Sequence, residues 1–313
     1  MTTNLEHWFA ALVLACGLSL VQRSVGATPE PREPDTASAL RIVGEATLFL
    51  PGIVSTRYSE IRLTLSPDGR TALWFSRDRP GGAGGYDIWL SRRNGEGWTP
   101  ATPAPFNSAL RDFDPAFSSD GRHVYFCSDR PGGLGGDDLY RVAVTADGFG
   151  AVEHLGSAVN SAGNEFAPML SPDRTLLLFS SDRPGGAGRH DLYTARQRAE
   201  QDFEPAQRLP GDINTPADEF DATFLSDGST LVFARAPDLR TDRVDLFSAS
   251  SRDGRYYAGT VLPQTVNSGD QNTYGPMLDW SQPDRFSVSG RRAGANGMDL
   301  YLVRYALQRD SSR

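Results

Sequence analysis

Carboxylates recur at equivalent positions of several segments of the sequence. Four short apolar segments each open on an acid, and these acids are Glu60, Asp112, Glu165 and Glu219. Thr273 holds the fifth equivalent position, and two more acids, Asp114 and Asp221, stand two residues further along the second and fourth segments. Carboxylates gathered from several segments attract cationic groups, and a pair about 5–5.5 or 6.5–9.5 Å apart can hydrolyse a glycosidic bond. Both chemistries require a fold that brings the segments together.

Arginines and glycine-rich stretches recur with the same spacing. The arginines aligned in this way are Arg79, Arg130, Arg183 and Arg291. A glycine-rich stretch can hold a phosphate where it opens a helix. Here the stretch at 132–136 leads into two acids, Asp137 and Asp138, and then into a β-like segment. This pattern favours a connection between strands over a phosphate site.

A third repeated position is an aspartate at the entry to a strand, and its members are Asp87, Asp138, Asp191, Asp245 and Asp299. An aspartate in such a place accepts hydrogen bonds from the N–H groups of the preceding loop. We therefore expect these residues to build the scaffold. The loop arginines are expected either to bridge loop and carboxylate or to meet a ligand.

Histidine and cysteine indicate no reactive centre. The four histidines have no metal-binding spacing, and His190 is the one placed beside a glycine-rich loop. Cys127 occupies a small-residue position of a strand and is expected to be an inert buried thiol. There is no G-x-S-x-G element for a serine triad. We predict no catalytic residue, no metal and no cofactor.

The repeat itself spans the chain. The turn aspartates Asp68, Asp120, Asp173 and Asp227 lie 52, 53 and 54 residues apart, and 278–301 forms a fifth, divergent copy. Each unit divides into four strands joined by turns. Such units, repeated around an axis, are typical of a β-propeller. We predict an all-β protein: a single propeller of five four-stranded blades over residues 40–307, followed by a short tail at 308–313.

The ends of the chain predict how the ring closes. After Asp299 only 14 residues remain, too few for a turn and a fourth strand. The segment 42–50 leads into Leu50-Pro51-Gly52, which matches Leu209-Pro210-Gly211 at the end of a fourth strand. The N-terminal segment is therefore expected to complete the last blade.

The combined motifs resemble a known family. The Ser-Pro-Asp-Gly turn, the [FW]-x-S-D-R-P-G-G loop and the D-[IL]-[YWF] strand are similar to TolB-type, WD-like β-propeller repeats of exported bacterial proteins. The resemblance covers roughly residues 40–307 and implies a propeller, export and a protein-binding role. TolB itself has six units and an additional N-terminal domain, so its own partners are not carried over.

The first 39 residues indicate export. Residues 8–21 form an apolar run of signal-peptide length, shorter than a membrane span. Cleavage after residue 27 gives a signal peptide at 1–27; alternatively, a lipoprotein signal ends before Cys16, which then carries a lipid anchor. Residues 28–39 read as a proline-rich linker. We expect a periplasmic or extracellular protein, with no transmembrane span in the mature chain.

The net charge limits the classes of binding partner that we expect. The chain has 31 basic and 39 acidic residues, a formal charge of −8, which disfavours nucleic acid. We expect a monomer whose channel mouth binds a protein, peptide or glycan of the cell envelope without catalysis. The alternative is a glycoside hydrolase that uses Asp114, Asp221, Glu165 and Glu219. The candidate site residues are the six repeated acids and four repeated arginines: Glu60, Asp112, Asp114, Glu165, Glu219, Asp221, Arg79, Arg130, Arg183 and Arg291.

Overall fold

The computed structural model describes residues 39–77, 79–199, 202–269, 271–292 and 297–308. The predicted signal peptide, nearly all of the predicted linker and most of the predicted tail lie outside these residues. Within them, no helix is long and apolar enough to cross a membrane.

The described chain forms five antiparallel sheets, as predicted for a five-bladed propeller. The N-terminal strand is β1 (Ala39–Leu48). Blade 1 contains β2 (Glu60–Leu65), β3 (Thr71–Ser76), β4 (Asp87–Asn94), β5 (Gly97–Trp98) and β6 (Thr102–Pro103). Blade 2 contains β7 (Asp112–Phe117), β8 (His123–Ser128), β9 (Asp138–Thr145) and β10 (Gly148–His154).

Blades 3 and 4 have a divided outer strand, as blade 1 does. Blade 3 contains β11 (Glu165–Leu170), β12 (Leu176–Ser181), β13 (Asp191–Ala199), β14 (Asp202–Phe203) and β15 (Gln207–Arg208). Blade 4 contains β16 (Asp218–Phe224), β17 (Thr230–Ala236), β18 (Asp245–Arg252), β19 (Arg255–Tyr256) and β20 (Thr260–Val261). Blade 5 contains β21 (Thr273–Leu278), β22 (Arg285–Gly290) and β23 (Asp299–Gln308).

The N-terminal strand closes the ring as predicted. Strand β1 pairs with β23 along its whole length, from Ala39 opposite Gln308 to Leu48 opposite Tyr301. It is thus the outer strand of blade 5, whose sheet has the order β1-β23-β22-β21. One sheet is therefore made from both ends of the propeller.

The core lies between neighbouring blades. At one position of the second strand, Trp74, Phe126, Phe179 and Phe233 are completely buried or nearly so. Their third-strand partners are also aromatic, for example Tyr140 opposite Phe126 and Tyr193 opposite Phe179. Aromatic side chains supply a large apolar area at each blade interface, which stabilises a fold without disulfides.

The first strand of each blade is innermost and carries a bulge. The third residue of each of these strands, or the fourth in β16, has a left-handed backbone, with φ between 49° and 62°; these residues are Arg62, Asp114, Ala167, Asp221 and Gly275. The strand pairing shifts at the same point in all five blades. A bulge redirects side chains, and here it does so beside the channel axis.

Candidate functional site

The loops that enter the first strands and the loops that join the second and third strands interlock at one end of the channel, here called the mouth. The N–H of Asp112 donates to the carbonyl of Tyr86 at 2.7 Å, and the N–H of Glu165 donates to that of Asp137 at 2.7 Å. Glu60, Glu219 and Thr273 make the equivalent bond to the preceding blade. The mouth is therefore a continuous backbone network across all five blades.

The four repeated carboxylates lie within this network rather than on its surface. Glu60, Asp112, Glu165 and Glu219 are fully buried. Each accepts bonds from the residue four positions earlier: for Glu165, the N–H of Ser161 at 2.8 Å and its hydroxyl at 2.6 Å. Thr56, Ser108 and Thr215 do the same in the other blades. The carboxylates thereby fix the loops that enter the first strands.

An arginine faces each buried carboxylate. The nitrogen–oxygen distances are 3.8 Å for Arg79–Glu60, 2.6 Å for Arg130–Asp112, 3.1 Å for Arg183–Glu165 and 2.7 Å for Arg235–Glu219. Each of these guanidinium groups also lies over a third-strand aromatic ring. Buried charge is tolerated when it is paired and hydrogen-bonded. Even so, burial raises the pKa of Glu60 to about 7, against the opposing effects of Thr56 and Arg79.

In blades 4 and 5 the arginine differs from the sequence alignment. Arg235, which the alignment did not include, occupies the position in blade 4. In blade 5 it is Arg292, 4.5 Å from the ring centre of Tyr301, and not Arg291. The pairing of Thr273 with Gly290 explains this shift. The turn before β22 is one residue longer than its blade 3 counterpart and the next loop one residue shorter, so equal spacing concealed a slip.

The bulges bring three charged residues together on the axis, and this axial cluster is Arg62, Asp114 and Asp221. Arg62 Nη1 lies 3.8 Å from Asp221 Oδ1, and Nη2 donates to the carbonyl of Pro168 at 3.2 Å. Asp114 accepts the N–H of Ala167, and Asp221 that of Gly275, both at 3.0 Å. Nε and Nη1 of Arg62 have no hydrogen-bond partner among the described residues.

The axial cluster is electrostatically unusual. Burial, and then the charge of Asp221, raise the pKa of Asp114 to about 8, while Arg62 opposes the shift. Burial also raises the pKa of Asp221. Left-handed backbone at a non-glycine residue costs of order 1 kcal/mol or more, and buried charges add a desolvation penalty. Since Gly275 satisfies the same backbone position in blade 5, the scaffold does not require charged residues here.

The proposed carboxylate quartet therefore divides. Asp114 and Asp221 converge on the axis, whereas Glu165 and Glu219 remain with the loops of blades 3 and 4. Asp114 and Asp221 are 3% and 6% exposed. Arg62 is the axial residue that sequence reasoning missed; its one signal was its place two residues after Glu60, matching Asp114 and Asp221.

The glycine-rich loops are strand connections. Asp191 accepts the N–H groups of Ala187 and Gly188, and Asp87 and Asp138 bind their loops in the same way. The first glycine of each loop has positive φ, as expected. The second does not. A Cβ on Gly186 would lie 1.9 Å from the Asp191 carboxylate, so glycine is required there for close approach.

The remaining sequence candidates have packing partners. Cys127 is buried, and burial raises the pKa of its thiol, which makes it unreactive. His190 Nδ1 lies 3.0 Å from Asp218 Oδ1, and Asp218 also accepts the N–H of Leu239. In the described part of the chain, no group of three or more His, Cys, Asp or Glu residues could hold a metal ion.

The opposite end of the channel differs from the mouth. Trp280 Nε1 donates to the carbonyl of Phe117 at 2.9 Å, linking blade 5 to blade 2. Cavities of about 370 and 530 Å³ lie at this end, beside the turns of blades 1–3. Asp120 lines both, and it is paired with Arg174. Because these charged groups bind one another, we do not assign a ligand to this end.

Comparison with known proteins supports the fold. No protein-family model matches the sequence, and no curated protein is significantly similar to it. Endo-arabinase from Bacteroides thetaiotaomicron VPI-5482 is 12% identical with a TM-score of 0.53, over 86% of this chain and 99% of that one. The catalytic domain of the GH62 α-L-arabinofuranosidase from Coprinopsis cinerea is 12% identical with a TM-score of 0.50, over 84% and 97%.

A putative TolB from Agrobacterium tumefaciens is 16% identical with a TM-score of 0.44, over 80% of this chain and 91% of that one. Identities this low show the fold alone. This protein is a five-bladed β-propeller.

Proposed function

We propose that this protein is an exported, non-catalytic propeller with TolB-type repeats, whose mouth binds a protein, peptide or envelope component. The observation that carries the proposal is the burial of the repeated carboxylates. Glu60, Asp112, Glu165 and Glu219 have no exposed surface, and each is bound by its own loop and an arginine. Groups committed in this way make a rigid platform and leave no open pair for acid–base catalysis.

Export and the TolB-type assignment rest on the sequence motifs and on the apolar run at 8–21. The proposal includes a periplasmic or extracellular location and a monomer. A lipid anchor at Cys16 remains part of it as an alternative to simple cleavage.

The tips of the loops at the mouth provide the test. Ala83, Leu134 and Ala187 occupy equivalent tips and are exposed. Replacing all three with Trp adds bulk at the mouth without disturbing the buried carboxylates. The matched control is Ala146→Trp, in an exposed turn at the opposite end of blade 2.

Immobilised wild-type protein and both variants would be exposed to an envelope extract, and the captured components compared. A component retained by the wild type and the control, and lost by the triple variant, supports the proposal. Equal capture by all three proteins, or loss in the control alone, would refute binding at the mouth.

A glycoside hydrolase is the second candidate, and one observation favours it. Asp114 and Asp221 lie in unequal environments, since Arg62 contacts Asp221, and burial holds the pKa of Asp114 near 8. Glycosidases use such unequal pairs as acid and base. The near-complete burial of both residues counts against access by a sugar. Hydrolysis of a glycan by the wild type, abolished in Asp114→Asn and Asp221→Asn, would establish this function instead.

A further inference from the structure

The rim of the mouth is electrically asymmetric. In each blade, the residue at which the first strand opens pairs with a residue near the end of the second strand. The next residue of the chain after that second-strand partner lies at the rim. In blades 1 to 5 in turn, these rim residues are Arg77, Asp129, Asp182, Ala236 and Arg291. Because the ring is closed, blades 5 and 1 are neighbours, and they form an arginine sector opposite the acidic sector of blades 2 and 3.

The acids of the rim are already bound. Arg111 donates to Asp129 through its N–H at 2.7 Å and its Nε at 2.9 Å. Asn164 donates to Asp182 through its N–H and its side-chain amide, both at 2.6 Å. These two carboxylates therefore have strong partners inside the protein.

Among the residues that the structure describes, the arginine sector has no carboxylate partner of this kind. Arg77 and Arg291 are exposed, and neither forms an ion pair with any of the described residues, which exclude the neighbouring Asp78. Arg57, in the loop that enters blade 1, is also exposed and donates to the hydroxyl of Tyr58 at 3.0 Å. This loop packs against the blade 5 loop, because a Cβ on Gly297 would lie 2.6 Å from the carbonyl of Tyr58.

Aromatic rings pre-orient two of these arginines. The guanidinium carbon of Arg77 lies 5.3 Å from the ring centre of Tyr86, and that of Arg57 lies 5.1 Å from that of Tyr58. A guanidinium that lies on an aromatic ring still has N–H groups free at its own edge, and these can bind a carboxylate. Stacking also lowers the entropy lost when a ligand binds.

The axis adds to the positive character of this sector. Arg62 belongs to blade 1 and is fully buried, and its Nε and Nη1 have no hydrogen-bond partner among the described residues. Asp221 offsets the charge of Arg62. Since the pKa of Asp114 is raised to about 8, Asp114 is largely neutral at pH 7. The charge of Arg77 lowers the pKa of both Asp114 and Asp221, but Arg77 forms no ion pair with any of the described residues.

We propose that the sector formed by blades 5 and 1 binds an acidic peptide segment of a protein partner through Arg57, Arg77 and Arg291. The inference rests on binding at the mouth and specifies the chemistry of the ligand. Three arginines on separate loops match carboxylates spaced along an extended chain better than they match a single compact anion. Charge-assisted bonds between guanidinium and carboxylate then give both affinity and orientation.

The test uses fluorescently labelled hexaglutamate and the full propeller, with anisotropy as the readout at low ionic strength. The wild type should bind, and Arg77→Gln combined with Arg291→Gln should weaken binding by roughly tenfold or more. Added salt should weaken wild-type binding more steeply than that of the double variant. Arg70→Gln, at an exposed turn on the opposite end of blade 1, is the matched control and should bind like the wild type.

Unchanged thermal unfolding would show that the double variant is folded, as expected for two exposed side chains. No hexaglutamate binding by the wild type, or equal binding by the wild type and the double variant, would overturn the inference. Binding of oligogalacturonate without hexaglutamate would assign the sector to a glycan and also overturn it. A captured component that the Trp triple variant loses and the double Gln variant retains would leave the mouth as the binding face and refute the arginine sector.

Discussion

At the scale of single residues, a carboxylate in the first strand of a blade has one of two roles, depending on its position in the strand. Glu165 lies at the first position of β11, where a loop needs an acceptor for the N–H of Ser161. Asp114 lies two residues into β7, at a bulge beside the axis. An acid recurs at the first position because the blades share the loop that it binds. At the bulge only the backbone conformation recurs, so the residue type varies from blade to blade.

Asp114 predicts a pH dependence of stability. The unfolded chain loses this proton near pH 4, whereas the folded pKa is raised to about 8. Between these values the folded state holds the extra proton, so the stabilisation present below about pH 4 is lost as the pH rises towards 8. Its maximal slope is about 1.4 kcal/mol per pH unit.

The measurement is the free energy of unfolding by denaturant at several pH values, for the wild type and for Asp114→Asn. The wild-type value should fall relative to that of the variant between about pH 5 and 8. Parallel curves for the two proteins would show that Asp114 ionises normally and that the axial cluster is not as buried as described.

Sequence reasoning located the repeated acids because repetition marks a position, and it located Asp114 and Asp221 by their shared offset. It missed Arg62, which has the same offset from Glu60, because its charge is opposite to that of Asp114 and Asp221. It also could not tell that Glu60 is buried, because burial depends on the loop of the preceding blade folding over it.

At the scale of elements, closure depends on β1. This ten-residue strand pairs with β23 at seven positions and protects its edge, and an unpaired edge promotes aggregation. A protein that begins at Ser55 should therefore lose much of its thermal stability or aggregate. One that begins at residue 38 should behave like the complete propeller.

Thermal unfolding and size-exclusion chromatography compare the two shortened proteins. Equal melting temperatures and a monomeric elution for both would mean that blade 5 is stable without β1, contrary to this assignment.

The order of the elements could be predicted because turn chemistry and strand patterns recur at nearly constant spacing. Strand β11, for example, begins at Glu165, the repeated acid that opens its segment in the sequence. In blade 5, constant spacing led to a wrong alignment. An insertion before β22 and a deletion after it cancel in the count, so Arg291 took the place of Arg292 in the alignment until strand pairing separated them.

At the scale of the whole molecule, five similar blades produce a mouth with unequal sectors. The scaffold contacts repeat, while the rim residues change from arginine in blades 5 and 1 to aspartate in blades 2 and 3. A symmetric framework with an asymmetric rim can orient one partner in one direction. The sequence alone could indicate the ring but not that the rim acids Asp129 and Asp182 are bound by Arg111 and Asn164.

Amide hydrogen exchange, with and without the component captured from the envelope, tests the central claim most directly. The loops at 80–86, 107–111, 131–137, 160–164 and 184–190 and the loop at 56–59 are predicted to include the segments that exchange more slowly in the complex. The turns at the opposite end, such as 118–122 and 145–148, are predicted to remain unchanged. Protection of those turns with no change at the mouth would contradict the account.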